Sequence, residues 1–233
     1  MIKKLLILLI PVFSFGQWTQ MLNEDYIYEI INTDDGGYVC ATQDWSSSNP
    51  ILYKLDSNGN MLWEQDLNVP NGFVYGIELT DDNGFIISGS FPDDYNSEGF
   101  LIKTNSTGEQ EWNHTYSIPS LSRQIQVFID ENGNYVTVGG FEYGYNNMSG
   151  YFIKKVDPNG NEMFNNIIDL DFQIIITAIE KTSDNGFVIT GPISFDGGTN
   201  YSNSAMALVK NDASGNLEWS QVFGQDGSFF IPS

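Results

Sequence analysis

The chain has 233 residues, with 30 Asp and Glu against 9 Lys and Arg and a formal net charge of −21, so it cannot assemble the basic surface that displaces counterions from a nucleic acid. Charged residues make up only 17% of the sequence, hydrophobic residues 41% and aromatic residues 14%, which separates it from acidic disordered tails that cannot bury a core. One Cys and one His exclude a disulfide framework and the usual His and Cys zinc sites.

Residues 1–16 have the pattern of a secretory signal peptide. Lys3 and Lys4 form a positive n-region, 5–15 is an apolar run, and Ser14 and Gly16 place small side chains ahead of Gln17. That run is about half of the roughly 20 apolar residues a bilayer-crossing helix needs. No membrane span is therefore expected after cleavage, and no Cys follows the run to take a lipid. The chain is expected to be secreted or held at the cell surface, with 17–233 as its single folded domain.

Trp18-Thr19-Gln20 matches Trp63-Glu64-Gln65 at the aromatic and at the Gln, which predicts a lone outer strand over 18–22. A unit of four strands, a to d, then recurs over approximately 26–67, 73–116, 123–168 and 174–223. Strand a (27–32, 74–79, 125–129, 175–179) enters a turn containing Asp or Asn with Gly. Strand b follows (38–42, 85–88, 135–138, 187–190), rich in β-branched and aromatic residues. Strand c carries a lysine into a second Gly turn, after which an aromatic residue opens strand d. These landmarks are Lys54, Gly59 and Trp63; Lys103, Gly108 and Trp112; Lys154, Gly160 and Phe164; and Lys210, Gly215 and Trp219. The Asn-Gly and Asp-Gly pairs predict two-residue type I′ hairpins, whose central residues both take positive φ. Residues 227–231 look like the start of a further strand a.

Four antiparallel strands repeating at about 50 residues are the signature of a β-propeller blade, and a β-sandwich would have no reason for the period. The expected fold is all-β: a β-propeller of four-stranded antiparallel blades, four of them complete, with orphan strands at 18–22 and 227–231. An N-terminal strand d normally completes a last blade whose a, b and c strands are missing here, so the propeller is expected to be incomplete or open. A closed four-bladed ring is the alternative.

The element Lys54-Leu55-Asp56-Ser57-Asn58-Gly59-Asn60-Met61-Leu62-Trp63, preceded by Asp35-Gly36-Gly37-Tyr38-Val39, resembles the repeats of secreted bacterial, Bacteroidota-type β-propeller proteins of the quinoprotein-like superfamily. The resemblance extends over 18–230. It implies the fold and no particular activity, because such propellers serve as enzymes, binding modules and scaffolds. It also raises pyrroloquinoline quinone. That cofactor's three carboxylates would find only Arg123 and a few lysines beyond the signal, so no cofactor is expected.

Alternating strand direction places the a–b and c–d turns at one edge of the blades and the b–c connections at the other. The b–c connections differ in length and composition, and they hold the candidate ligand-binding residues Trp45, Asp93, Asp94, Tyr95, Tyr143, Tyr145, Asp196 and Tyr201. Flat aromatic faces beside Asp and Asn suit a glycan or a protein partner; packing between blades is the other use for such aromatics. The expected function is a non-catalytic extracellular binding or adhesion module. The alternatives are a scaffold or spacer within a larger surface protein, and a secreted hydrolase. His114 stands where other repeats have Gln20, Gln65, Asn166 and Gln221, so it belongs to the repeat and is not an isolated base. Cys40, within strand b, is expected in the core, and the four recurring lysines are expected to be structural. The Asp56, Asp157 and Asp212 turns place oxygens at alternating positions but lack the bidentate Glu of a calcium loop, so no metal site is expected.

Overall fold

The computed structural model describes residues 26–44, 49–91, 98–118, 123–143, 148–170, 172–194, 205–224 and 229–230. The expected signal peptide and the 18–22 strand lie outside these residues. Those described are strands and turns with no helix, hence none long and apolar enough to cross a membrane.

Four antiparallel sheets follow in chain order. Blade 1 is β1 (Tyr26–Asn32), β2 (Tyr38–Asp44), β3 (Asn49–Leu55) and β4 (Met61–Asp66). Blade 2 is β5 (Phe73–Leu79), β6 (Phe85–Phe91), β7 (Glu98–Thr104) and β8 (Gln110–Ser117). Blade 3 is β9 (Arg123–Ile129), β10 (Tyr135–Tyr143), β11 (Met148–Val156) and β12 (Glu162–Leu170). Blade 4 holds β13 (Gln173–Ile174), β14 (Ala178–Lys181), β15 (Phe187–Ser194), β16 (Ala205–Asn211) and β17 (Leu217–Phe223). The propeller of four-stranded blades expected from the repeat is what the chain forms.

Two elements differ from expectation. The 175–179 strand is interrupted: β13 and β14 both pair with β15, and between them Ile175 N and Thr177 N donate to Pro192 O and Thr190 O. Pro192 has no N–H to return a bond to that ladder. The 227–231 piece supplies β18 (Phe229–Phe230), which pairs with β17 and lengthens the outer edge of blade 4 instead of beginning a new inner strand.

The burial pattern follows from position in the blade. Strands b and c are sandwiched between neighbours and buried on both faces, as in β6, where six consecutive residues are buried. The outer strand d alternates, as in β4 and β12. The core therefore lies between blades. Val39, Leu52 and Leu67 of the first blade pack with Val74, Ile77 and Phe100 of the second; Ile153 of the third packs with Ile174, Ile189 and Val209 of the fourth. Cys40 is buried among Tyr53 and Leu55, and burial pushes its thiol up.

The hairpins are not two-residue type I′ turns. In the a–b turn of blade 2, Asn83 N donates to Thr80 O and Thr80 N to Gly84 O, with positive φ at Asn83 alone; in the c–d turn of blade 1, Gly59 N donates to Asp56 O and Asp56 N to Asn60 O, with positive φ at Gly59 alone. This is the wider loop in which one left-handed residue follows a type I turn. The Asx side chain selects it, because Asp56 Oδ1 accepts from both Asn58 N and Asn60 N. Gly84 is needed for a different reason: a Cβ there would collide with Thr104 O on the neighbouring strand.

The inner strand of blade 1 exposes what that of blade 2 covers. Val74 and Ile77 are 0% and 1% exposed against blade 1, whereas Ile27 and Ile30, their counterparts on β1, are both 53% exposed. Among the described residues, blade 4 makes no packing contact with blade 1 comparable to those between consecutive blades.

Candidate functional site

Of the candidate ligand residues, Trp45, Asp93, Asp94, Tyr95, Tyr145, Asp196 and Tyr201 lie outside the described residues. Tyr143 ends β10, where its backbone pairs with Met148. What the structure does give is the strand ends that flank these connections. The b–c connections leave from the ends of β2, β6, β10 and β15, all at one edge, and the a–b and c–d turns lie at the other.

The turn edge is held by the recurring lysines. Lys54, Lys103 and Lys210 are 6%, 3% and 6% exposed. Lys54 binds Thr33 and, at 2.7 Å, Asp35; Lys103 binds Asp82 at 2.8 Å and Glu111 at 2.9 Å; Lys210 binds Asp184 at 3.0 Å and Glu218 at 2.9 Å. Hydrogen bonds from Lys54 and Thr33 hold Asp35 well below the usual carboxylate range, and those from Thr182 and Lys210 do the same for Asp184. For Asp82, partial burial works to raise the value, but hydrogen bonds from Lys103, Thr80 and Gly84 N prevail and bring it down to about 2.

In blade 3 the lysine in this register is Lys155, which corrects the expectation for Lys154. Lys155 pairs across the ladder with Phe164 as Lys54 does with Trp63, and it binds Asp130 at 2.6 Å. Lys154 sits one residue earlier, where the other repeats have Tyr53, Ile102 and Val209, all nearly fully buried. Its side chain turns to the opposite face, toward blade 2.

There it lines a cleft of about 370 Å³ between blades 2 and 3, with Leu101, Trp112, His114, Tyr116 and Glu162. Lys154 is 6% exposed, pairs with Glu162, and its Nζ lies 5.1 Å from the centroid of the Tyr116 ring. Tyr116 donates weakly to Thr137 Oγ1 at 3.5 Å, and burial pushes its phenol up. Trp112 Nε1 donates to Pro158 O at 3.3 Å, and the Trp112 ring stands 4.9 Å from that of His114. The His114 position serves the blade interlock, as its place in the repeat implies: His114 Nδ1 lies 3.0 Å from Gly160 O, and Asn166 Nδ2 donates to Ser214 O at 2.9 Å one junction later. A carbonyl opposite Nδ1 assigns the proton to that nitrogen and leaves Nε2 as an acceptor in the neutral ring. The sequence signal for the extra lysine is the spacing to the turn: Lys54 stands two residues before Asp56 and Lys155 two before Asp157, which leaves Lys154 at the position of Tyr53.

No family model and no curated protein sequence matches the chain. Solved structures do share its fold. An alpha-L-arabinanase from Penicillium chrysogenum, solved with arabinobiose, is 9% identical with a TM-score of 0.57, over 88% of this chain and 68% of that one. An endo-arabinase from Bacteroides thetaiotaomicron is 10% identical with a TM-score of 0.51, over 92% and 80%. A cobalt-substituted Synechocystis ACO, an apocarotenoid oxygenase, is 12% identical with a TM-score of 0.50, over 83% and 47%. The chain thus spans about half the length of the oxygenase structures it matches. These likenesses concern the fold. They nevertheless overturn the expectation that the chain is not an enzyme, because the fold it shares is one that arabinanases and an oxygenase use, and the fold gives no ground for setting catalysis aside.

Proposed function

We propose that the chain is a ligand-binding propeller unit of a secreted or surface-displayed protein, with a ligand face built from the b–c connections and a glycan as its ligand class. One observation carries this reading: the repeat is conserved in form at one edge and varied at the other. The four c–d turns have the same backbone closure, from Asp56 and Asn60 through Asn105 and Glu109 and Asp157 and Asn161 to Asp212 and Asn216. The b–c segments share neither length nor composition, and their sequences contain Trp45, Tyr95, Tyr143 and Tyr201 among Asp and Asn residues. A fold held at one edge can vary the other freely, which is where recognition usually evolves. The signal-like residues 1–16 and the quinoprotein-like repeat motif agree with export.

Immobilised glycans test the reading. Arabinan oligosaccharides come first, since the Penicillium chrysogenum arabinanase was solved with arabinobiose; product analysis of each retained polymer tests for cleavage in the same experiment. Retention on at least one glycan class is expected, and joint replacement of Trp45, Tyr95, Tyr143 and Tyr201 by Ala should abolish it. Retention that survives the four replacements would remove the b–c edge as the ligand face.

A further inference from the structure

We infer that the cleft between blades 2 and 3 is a second binding site, distinct from the b–c edge, and that it takes a single neutral sugar residue. The repeat itself is the control. At each junction the same positions meet the next blade, so any residue that departs from the pattern is a change made against a known background. Four departures converge here. Lys154 replaces a buried apolar residue (Tyr53, Ile102, Val209), Glu162 replaces Met61, Gln110 or Leu217, Tyr116 replaces Leu67, Ile168 or Phe223, and His114 replaces Gln65, Asn166 or Gln221. They come from two different blades yet line one cleft.

Packing alone does not account for the set. Burying an ammonium where the other blades bury Tyr53, Ile102 and Val209 costs free energy that a hydrocarbon would not. The cost is limited by the ion pair with Glu162 and the Tyr116 ring face. The cleft of about 370 Å³ also falls within the size range of small-molecule sites.

The chemistry of the lining selects the ligand. Trp112, Tyr116 and Leu101 offer apolar surface. Lys154 keeps ammonium donors beyond the one given to Glu162, Glu162 keeps an acceptor oxygen, and His114 presents Nε2 as a further acceptor. Donors and acceptors in this mixture match vicinal hydroxyls above the flat face of a pyranose or furanose ring. A free anion is disfavoured, because the lysine charge is already met by Glu162 and the whole chain carries −21.

Titration of the full chain with methyl glycosides of galactose, glucose and arabinose, followed by NMR of the Trp112 indole N–H and the His114 ring, tests the site. A saturating shift of these two signals by at least one glycoside is expected. The variants Lys154→Ile, His114→Gln and Glu162→Gln restore residues that other repeats use at the same positions, so the fold should tolerate them. Each should weaken that response at least tenfold; the thermal midpoint should be kept or raised in Lys154→Ile and kept in His114→Gln, and should fall in Glu162→Gln, which leaves the Lys154 ammonium without its counter-charge. Absence of a saturating shift with every glycoside overturns the proposal, as does a response unchanged in Lys154→Ile. The four b–c replacements should abolish retention on immobilised polymers and leave this titration unaltered, because a cleft that takes a single sugar residue is read by soluble methyl glycosides and does not admit the interior residues of a polymer; failure here and failure at the b–c edge are thus read separately.

Discussion

At the scale of single residues, the turn edge depends on lysines buried at their charged ends. Removing Lys103 leaves Asp82 and Glu111 to rehydrate but also strips the donor from Thr104 O, which Lys103 reaches at 2.8 Å. Lys103→Met is therefore expected to cost about 1–3 kcal/mol, measured by urea unfolding. Acid should act on the same contacts. Asp35, Asp82, Asp130 and Asp184 have lower pKa values folded than unfolded. Their contribution is complete above the unfolded value of about 4 and is lost as pH falls toward the folded values, about 2 for Asp82. Glu29 and Glu78 work in the opposite sense: burial raises both, so their protonation favours the folded state, and that gain disappears as pH rises through their folded values. Thermal midpoints measured across the acid range should fall below about pH 4, and joint replacement of Asp35, Asp82 and Asp184 by Asn should flatten the decline. The recurrence of these lysines was legible in the sequence. The register in blade 3 was not, because two adjacent lysines satisfy the same pattern and only ladder pairing with Phe164 separates them.

At the scale of elements, strands b and c are legible because they are buried on both faces and read as continuous apolar runs. Turn positions are legible from Asp, Asn and Gly. Their geometry is less so, because an Asx residue can close a wider loop than the Asn-Gly pair alone suggests. The break in the inner strand of blade 4 had a sequence signal in Pro192, which strand periodicity does not weigh. The blade 1–2 junction offers a direct measure of what holds neighbouring blades together. Phe100 is fully buried and meets Phe91 at a ring separation of 5.3 Å, and a Cβ at Gly89 would strike its ring. Phe100→Ala is expected to cost about 3–5 kcal/mol in denaturant unfolding, and Gly89→Ala about 1–3 kcal/mol through overpacking.

At the scale of the whole molecule, blades 1 to 3 each set a ring of the outer strand against the next blade's glycine turn, the landmark aromatic in blades 1 and 3 and His114, two residues after Trp112, in blade 2. A Cβ at Gly108 would meet Trp63, one at Gly160 would meet His114, and one at Gly215 would meet Phe164. Trp219 holds the same position on blade 4 but is 44% exposed, with no following turn against it among the described residues. Trp219→Ala should accordingly cost under about 1 kcal/mol, while Trp63→Ala should cost about 2–3 kcal/mol. The propeller was legible in the repeat, since the period, turn chemistry and strand pattern point to one answer. The cleft was not, because it arises where side chains 40 residues or so apart in sequence, a spacing typical of blade repeats, meet across two blades. Division of labour between a constant turn edge and a varied b–c edge is the central claim. Its most direct test is to measure glycan retention and thermal midpoint together on the joint Trp45, Tyr95, Tyr143 and Tyr201 to Ala variant. Retention should be lost with the midpoint within about 2 °C of the parent chain. A midpoint that falls well beyond this while retention persists would show that these aromatics hold the blades together and do not form the ligand face.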